Sequence, residues 1–206
     1  MLKLDLVKAF DRVNWTYLRL ILLHIGISLR GVNWIMGCIS SANFALLING
    51  SPLVFITSRG IRKGCPLSPL LFILVLEGLS LLIKYAKEIG KTMGINISAS
   101  IALTRLLFVY DVVIFGLGTL EEWMTFEVIL DTFCYASGMS INTEKYGFLY
   151  NDLGEGVLNS IRHIMPYTVD PIQVGFKYLG YYIKPLGYEV KDWLWFLKKF
   201  EKRIKK

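Results

Sequence analysis

The period of apolar positions changes repeatedly along the chain, and each change marks an element. Lys3-Leu4-Asp5-Leu6-Val7 reads as a short buried strand with one acid inside it. Asn14 is placed to cap a helix over 15–25, which Gly26 ends. A second helix is predicted over 32–40. Residues 43–48, Asn49-Gly50 and 53–57 carry a hairpin signature, because Asn-Gly accepts the positive φ of a type I′ turn. Residues 59–66 form a basic loop bounded by Gly and Pro. A long, largely buried helix is predicted over 67–88 and closed by Gly90. Strands are expected near 94–98 and 103–108.

The stretch Leu106-Leu107-Phe108-Val109-Tyr110-Asp111-Val112-Val113-Ile114-Phe115 follows. Two β-rich runs broken by so short a polar pair read as a tight hairpin. Asp111 at its tip has two readings. It is either a turn acid at a solvated corner or a buried acid that holds a partner or a metal. Beyond it, 120–136 has helical spacing with Gly138 as a C-cap. A turn over 140–145 leads to a strand over 146–150, and a weaker helix covers 154–164. Residues 176–183 read as a strand and 190–206 as a basic amphipathic helix. The order predicts an α+β fold, an antiparallel sheet with helices on one face.

Composition narrows the classes. Apolar residues make up 54% of the 206, so a large core is expected. The longest apolar run, 67–83, is interrupted by Ser68, Pro69, Glu77, Gly78 and Ser80, so no membrane association is expected. Lys3, Asp5 and Asp11 break any secretory leader, which predicts an intracellular protein, nuclear or cytoplasmic. Cys38, Cys65 and Cys134 show no CxxC or Cys/His spacing, so no zinc site is expected. The net charge of +7 is compatible with a polyanionic partner.

Asp5 and Asp111 are each embedded in β-type apolar residues. Adjacent antiparallel strands would bring both carboxylates to one edge. Two such groups repel unless a cation lies between them, and an all-oxygen set suits magnesium.

Six blocks then carry a resemblance. They are Lys3-Leu4-Asp5-Leu6-Val7-Lys8-Ala9-Phe10-Asp11-Arg12-Val13-Asn14-Trp15, Leu47-Ile48-Asn49-Gly50-Ser51-Pro52, and Ser58-Arg59-Gly60-Ile61-Arg62-Lys63-Gly64-Cys65-Pro66-Leu67-Ser68-Pro69-Leu70-Leu71-Phe72. The others are Phe108-Val109-Tyr110-Asp111, Ser137-Gly138-Met139-Ser140-Ile141-Asn142-Thr143-Glu144-Lys145 and Phe176-Lys177-Tyr178-Leu179-Gly180. In this order and spacing the chain resembles the reverse transcriptase domain of LINE-type (non-LTR) retrotransposons, those of plants in particular.

The resemblance implies a polymerase palm over 1–165, with a primer-grip-like hairpin and the start of a thumb helix over 166–206 and the fingers largely missing. It implies two magnesium ions, an RNA template, a DNA primer and deoxynucleotides. Asp5 and Asp111 fall at metal-binding positions. Phe10 falls under the incoming sugar, where its bulk excludes a 2′-hydroxyl. Arg62, Lys63 and Gly64 fall in the loop against the nucleotide. Lys145 falls near the triphosphate, where a cation can protonate the leaving pyrophosphate. Tyr178, Leu179 and Gly180 match the primer-gripping hairpin. Asp11 reads as a structural or capping acid.

The chain also departs from the pattern. The family's Phe-Ala-Asp-Asp is here Phe108-Val109-Tyr110-Asp111, so Tyr110 occupies a metal-ligand position. A phenol keeps its proton at neutral pH and binds magnesium poorly. Lys63 replaces a glutamine and Cys65 an acid. The expectation is a truncated, degenerate copy, catalytically impaired. The alternatives are a non-catalytic nucleic-acid-binding relic and a non-functional fragment.

Other conspicuous residues have plainer readings. His24 and His163 read as exposed or helix-end residues, and the five tryptophans as core or thumb packing. The basic tail 198–206 reads as a solvated helix face, or more sharply as a phosphate contact. Glu121-Glu122 is explained by the helix dipole.

Overall fold

The computed structural model describes residues 1–41, 43–99, 101–142, 147–164 and 168–204. Strand β1 (Leu2–Asp5) alternates as its sequence requires: Leu2 and Leu4 are fully buried, while Lys3 and Asp5 point to the opposite face. A short α1 (Ala9–Arg12) precedes α2 (Trp15–His24), and the Asn14 side chain accepts from the Thr16 and Tyr17 amides. Helix α3 (Leu29–Ser40) starts before residue 32, because Ser28 accepts from the Gly31 amide and caps it there. In the hairpin β2 (Asn43–Ile48) and β3 (Ser51–Ile56), Asn49 and Gly50 have φ of 50° and 84°, as a type I′ turn requires.

Helix α4 (Ser68–Glu88) is long and apolar enough to cross a membrane by length and composition. Here it buries Leu71, Phe72, Val75, Leu76, Leu79 and Ile83 in the core. The run over 103–108 is not one strand. It divides into β5 (Ile101–Leu103), which pairs with β4 (Ile95–Ser98) in a separate ribbon, and β6 (Arg105–Phe108). The division falls at Thr104, whose carbonyl accepts from the Phe115 amide. The expected central hairpin is β6 with β7 (Asp111–Ile114).

Helix α5 (Leu120–Ser137) ends at Gly138, φ 76°. Then come β8 (Gly147–Tyr150), α6 (Glu155–Ile164) and β9 (Thr168–Pro171). Residues 176–183 are not one strand but a hairpin, β10 (Phe176–Tyr178) and β11 (Tyr181–Ile183), because Leu179 and Gly180 turn the chain at φ 49° and 85°. Helix α7 (Val190–Ile204) follows.

The main sheet runs β6-β7-β1-β8-β9. It is antiparallel except for β8–β9, which is parallel because α6 carries the chain back across. Leu2, Leu4, Val112, Ile114 and Phe148 of the sheet pack against Leu18, Leu22, Phe72, Ile83, Phe126 and Phe133 of the helices. Each such side chain stabilises the fold by about 1.5–3 kcal/mol. The other face of β1 and β7 is left for chemistry.

Two readings need correction. Trp123 is a core residue, edge-on to Phe148, and Trp193 packs on Tyr188 with ring centroids 5.6 Å apart, but Trp34 is 63% exposed and belongs to no core. The Trp34 ring instead carries the Arg30 guanidinium, 4.8 Å from its centroid. Glu122 does more than answer the helix dipole. It is buried, and its carboxylate accepts from the amides of Met93 (2.7 Å), Gly94 (3.2 Å) and Leu117 (2.6 Å), stapling two loops to the start of α5.

Candidate active site

The β1–β7 register sets Asp5 directly opposite Asp111. Cross-strand neighbours of this kind have Cβ atoms about 4.5–5.5 Å apart, so two carboxylates more than a hundred residues apart in sequence share one face of the sheet. The end of β1 is held from both sides. The Asn142 amide N–H donates to the Asp5 carbonyl at 2.8 Å, and the Asn142 side chain to its carboxylate at 3.4 Å. The Leu6 amide donates to the Tyr110 carbonyl at 3.3 Å.

Val109 and Tyr110 form the hairpin tip between Phe108 and Asp111. Val109 has φ 52°. A β-branched residue in the left-handed region costs on the order of 1–2 kcal/mol. Packing of Val109 against the core and the Leu6–Tyr110 bond hold it there. Tyr110 is 48% exposed, so its phenol stands at the tip beside Asp111.

A second cluster forms where the basic loop docks on α1. The Gly60 amide donates to Val13 and the Ile61 amide to Phe10, both at 2.8 Å, and Trp15 Nε1 donates to the Gly60 carbonyl at 2.7 Å. Gly60 has φ 87°, and a Cβ there would lie 2.8 Å from the Asp11 carbonyl oxygen. Gly60→Ala is therefore expected to destabilise the chain by about 2–3 kcal/mol, measured by urea unfolding, and to loosen the loop.

The Phe10 ring stacks on buried Phe72, with centroids 4.8 Å apart and planes at 16°. Asp11 pairs with Lys63 at 2.9 Å. Both ends of that pair are exposed, so it contributes under about 1 kcal/mol. Asp11, Thr57, Arg59, Arg62 and Lys63 line a cleft of about 380 Å³. Gly64 is exposed next to it, at φ 85°. The Leu67 amide, the Ser68 hydroxyl and amide, and the Arg62 charge hold the Cys65 thiol below its ordinary range. The position thus still favours an anion where the family has an acid.

The β10–β11 hairpin lies over the open face of the sheet. Lys3 Nζ donates to the Lys177 carbonyl. Burial, with a smaller contribution from the Asp111 charge, raises the Tyr178 phenol above its ordinary range, which puts Tyr178 near Asp111. Leu179 and Gly180 form the turn. They line a groove of about 270 Å³ with Tyr181, Trp195, Lys199 and Arg203. Lys184 and Asp192, 3.5 Å apart with side chains only 14% and 8% exposed, tie the hairpin to α7.

The contacts thus unite Asp5, Asp111, Tyr110 and Tyr178, and separately Phe10, Arg62 and Lys63. Lys145 lies outside the described residues. Sequence reasoning gave no role at the site to Lys3 or Asn142 and read Trp15 only as packing. Lys3 was within reach, because a period of two puts it on the same face as Asp5. The donors suit a single magnesium, which needs only one or two protein carboxylates. Among the described residues no group of three or more acids, histidines or cysteines is placed to hold a metal ion.

A largely antiparallel sheet backed by helices, with two carboxylates abreast on its central strands at a hairpin tip, defines a polymerase palm. Solved structures agree on the fold. Two telomerase structures from Candida tropicalis, one in complex with a fragment of telomeric RNA, match with TM-scores of 0.54 and 0.55 at 16% identity. They cover 70% and 75% of this chain and 25% and 31% of theirs.

The family model for reverse transcriptase (RNA-dependent DNA polymerase) matches residues 1–183, and the chain belongs to that family. The Pol polyprotein of the type-1 R2 element of Popillia japonica is 28% identical over 94% of this chain. That of the R2DM element of Drosophila melanogaster is 31% identical over 69%. An uncharacterized mitochondrial protein of Arabidopsis thaliana is 49% identical over 32%. Two of these three relatives are thus Pol polyproteins of R2 retrotransposable elements. The chain spans 28%, 13% and 55% of the lengths of these relatives. The family uses divalent metal ions and binds an RNA template.

Proposed function

We propose that this chain is a palm that still engages an RNA template and a DNA primer but polymerises poorly, because Tyr110 has replaced a metal ligand. The observation that carries the reading is the register of Asp5 against Asp111 with Tyr110 next to it at the tip. The family's reaction is attack of a primer 3′-hydroxyl on the α-phosphate of a deoxynucleotide, with pyrophosphate leaving. Magnesium supplies charge stabilisation at the attacking and leaving oxygens. Asp5 and Asp111 would hold one such ion.

The remaining residues position and neutralise. Phe10, fixed by its stack on Phe72, excludes a 2′-hydroxyl by bulk. Arg62 and Lys63, with the Gly64 backbone, face the nucleotide. Lys145 offsets charge on the triphosphate. Tyr178, Leu179 and Gly180 take the primer, with 1–165 acting as palm and 166–206 as hairpin and incipient thumb. The work is intracellular, where template RNA resides.

What survives is therefore binding without turnover. Affinity for an RNA–DNA primer-template is expected to fall log-linearly with salt, with a slope near −0.9 per phosphate contacted on a duplex, and to be the same with EDTA as with magnesium. Fluorescence anisotropy against potassium chloride reads both. Absence of binding at low salt would discard the reading and leave a non-functional fragment.

A further inference from the structure

Helix α7 buries none of its residues. Val190, Trp193, Leu197, Phe200 and Ile204 recur at alternating steps of three and four, the spacing of a helix seam, and each is at least half exposed. Five cations against two acids (Asp192 and Glu201) give α7 a net charge of +3. Two α7 helices therefore repel each other, which disfavours the simplest way of covering the seam.

Helix α5 is the opposite case. It has four acids, Glu121, Glu122, Glu127 and Asp131, and no cation, for a net charge of −4. Glu122 is consumed by its three amides, but Glu121 and Asp131 are exposed. Burial and the Asp131 charge one turn away raise the Glu127 carboxyl above its usual range, a crowding that a cation would relieve. Met124, Val128 and Tyr135 stand 50%, 65% and 93% exposed along the same helix. Beside them, two apolar clefts of about 550 and 460 Å³ share Leu82, Tyr85 and Thr132, so they join into one trough over α4. Lys84 on its rim is 3.9 Å from Glu88.

The geometry points to α7 of one copy seating along α5 and the trough of a second copy, with the exchange made reciprocally in a two-fold dimer. The mode is an amphipathic helix in an apolar groove. At 15 residues, about 22 Å, α7 is shorter than the 18-residue α5 it would follow. A reciprocal exchange closes, whereas a one-way contact would propagate. The dimer itself does not depend on the polymerase reading; only the competition with a bound polyanion rests on it. Since the cations of α7 serve both partners, bound polyanion and self-association compete.

Sedimentation equilibrium of the 206-residue chain at low salt tests it. A dimer is expected, and an RNA oligonucleotide should shift it towards monomer. Lys198→Glu with Arg203→Glu should weaken it about tenfold or more. Adding Glu121→Lys with Asp131→Lys to that variant should restore it. All four positions are on the surface, so unchanged circular dichroism separates lost docking from lost folding. Mixed Val128→Cys and Leu197→Cys chains should form the heterologous disulfide. A monomer at all concentrations, a dimer indifferent to both charge sets, or a disulfide only between two Leu197→Cys chains would overturn the proposal.

Discussion

Tyr110→Asp is expected to extend a primer on an RNA template in the presence of magnesium, where the parent chain gives no product above background. The backbone at residue 110 already accepts a hydrogen bond from Leu6, and the residue lies beside Asp111, so the new carboxylate meets Asp5 and Asp111 without a change of fold. Loss of even a residue behind a metal ligand costs about 10–100-fold, and a ligand itself costs more. The gain should therefore exceed two orders of magnitude.

Binding gives a second readout. Three carboxylates without a cation repel, so the variant should melt below the parent in EDTA and regain stability as magnesium is added, by RT ln(1 + [Mg]/Kd). The parent should respond weakly. Extension by the parent would show that Asp5 and Asp111 suffice. Magnesium stabilisation of the variant without extension would place the fault in the loop, at Lys63 and Cys65.

The largest loss of stability is expected from Glu122→Ala. The buried carboxylate serves three amides at 2.6–3.2 Å, that of Gly94 in a buried setting and those of Met93 and Leu117 in part-buried ones. An orphaned buried donor costs about 1–3 kcal/mol, and the two part-buried donors cost less, since water reaches them. Water entering the vacated space recovers part of that, leaving about 3–5 kcal/mol, a large share of a domain's total stability. Urea unfolding measures it. Hydrogen exchange should rise first at the Met93, Gly94 and Leu117 amides. Glu122→Gln should fall between, because one carboxamide oxygen still accepts while its NH₂ faces donors. A loss below about 1 kcal/mol for Ala would mean that the loops hold without the staple.

The local elements were legible because their signals are local. Asn14, Asn49-Gly50 and Gly138 each impose a backbone conformation within two or three residues, and each sits where expected. The meeting of Asp5 with Asp111 was legible as a possibility, since two apolar strands carrying one acid apiece have few ways to pack. Glu122 was not legible. Its partners all lie upstream, by 29, 28 and 5 residues, and nothing in the spacing separates a staple from a dipole-facing acid. The parallel β8–β9 pair was missed because Thr168–Pro171, a short run ending in proline, carries little strand signal. Trp34 was misplaced because hydrophobicity alone does not distinguish a core ring from one lying on the surface.

The hydrogen bond that anchors the hairpin tip runs from the Leu6 amide to the carbonyl of residue 110, main chain to main chain. Any amino acid at 110 can make it, so folding exerts no selection on which side chain stands there. Tyrosine and aspartate codons differ only in their first base. Single base changes can therefore exchange an acid and a phenol at this tip while the folded scaffold stays intact, so the shape of a chain does not report which of the two it carries.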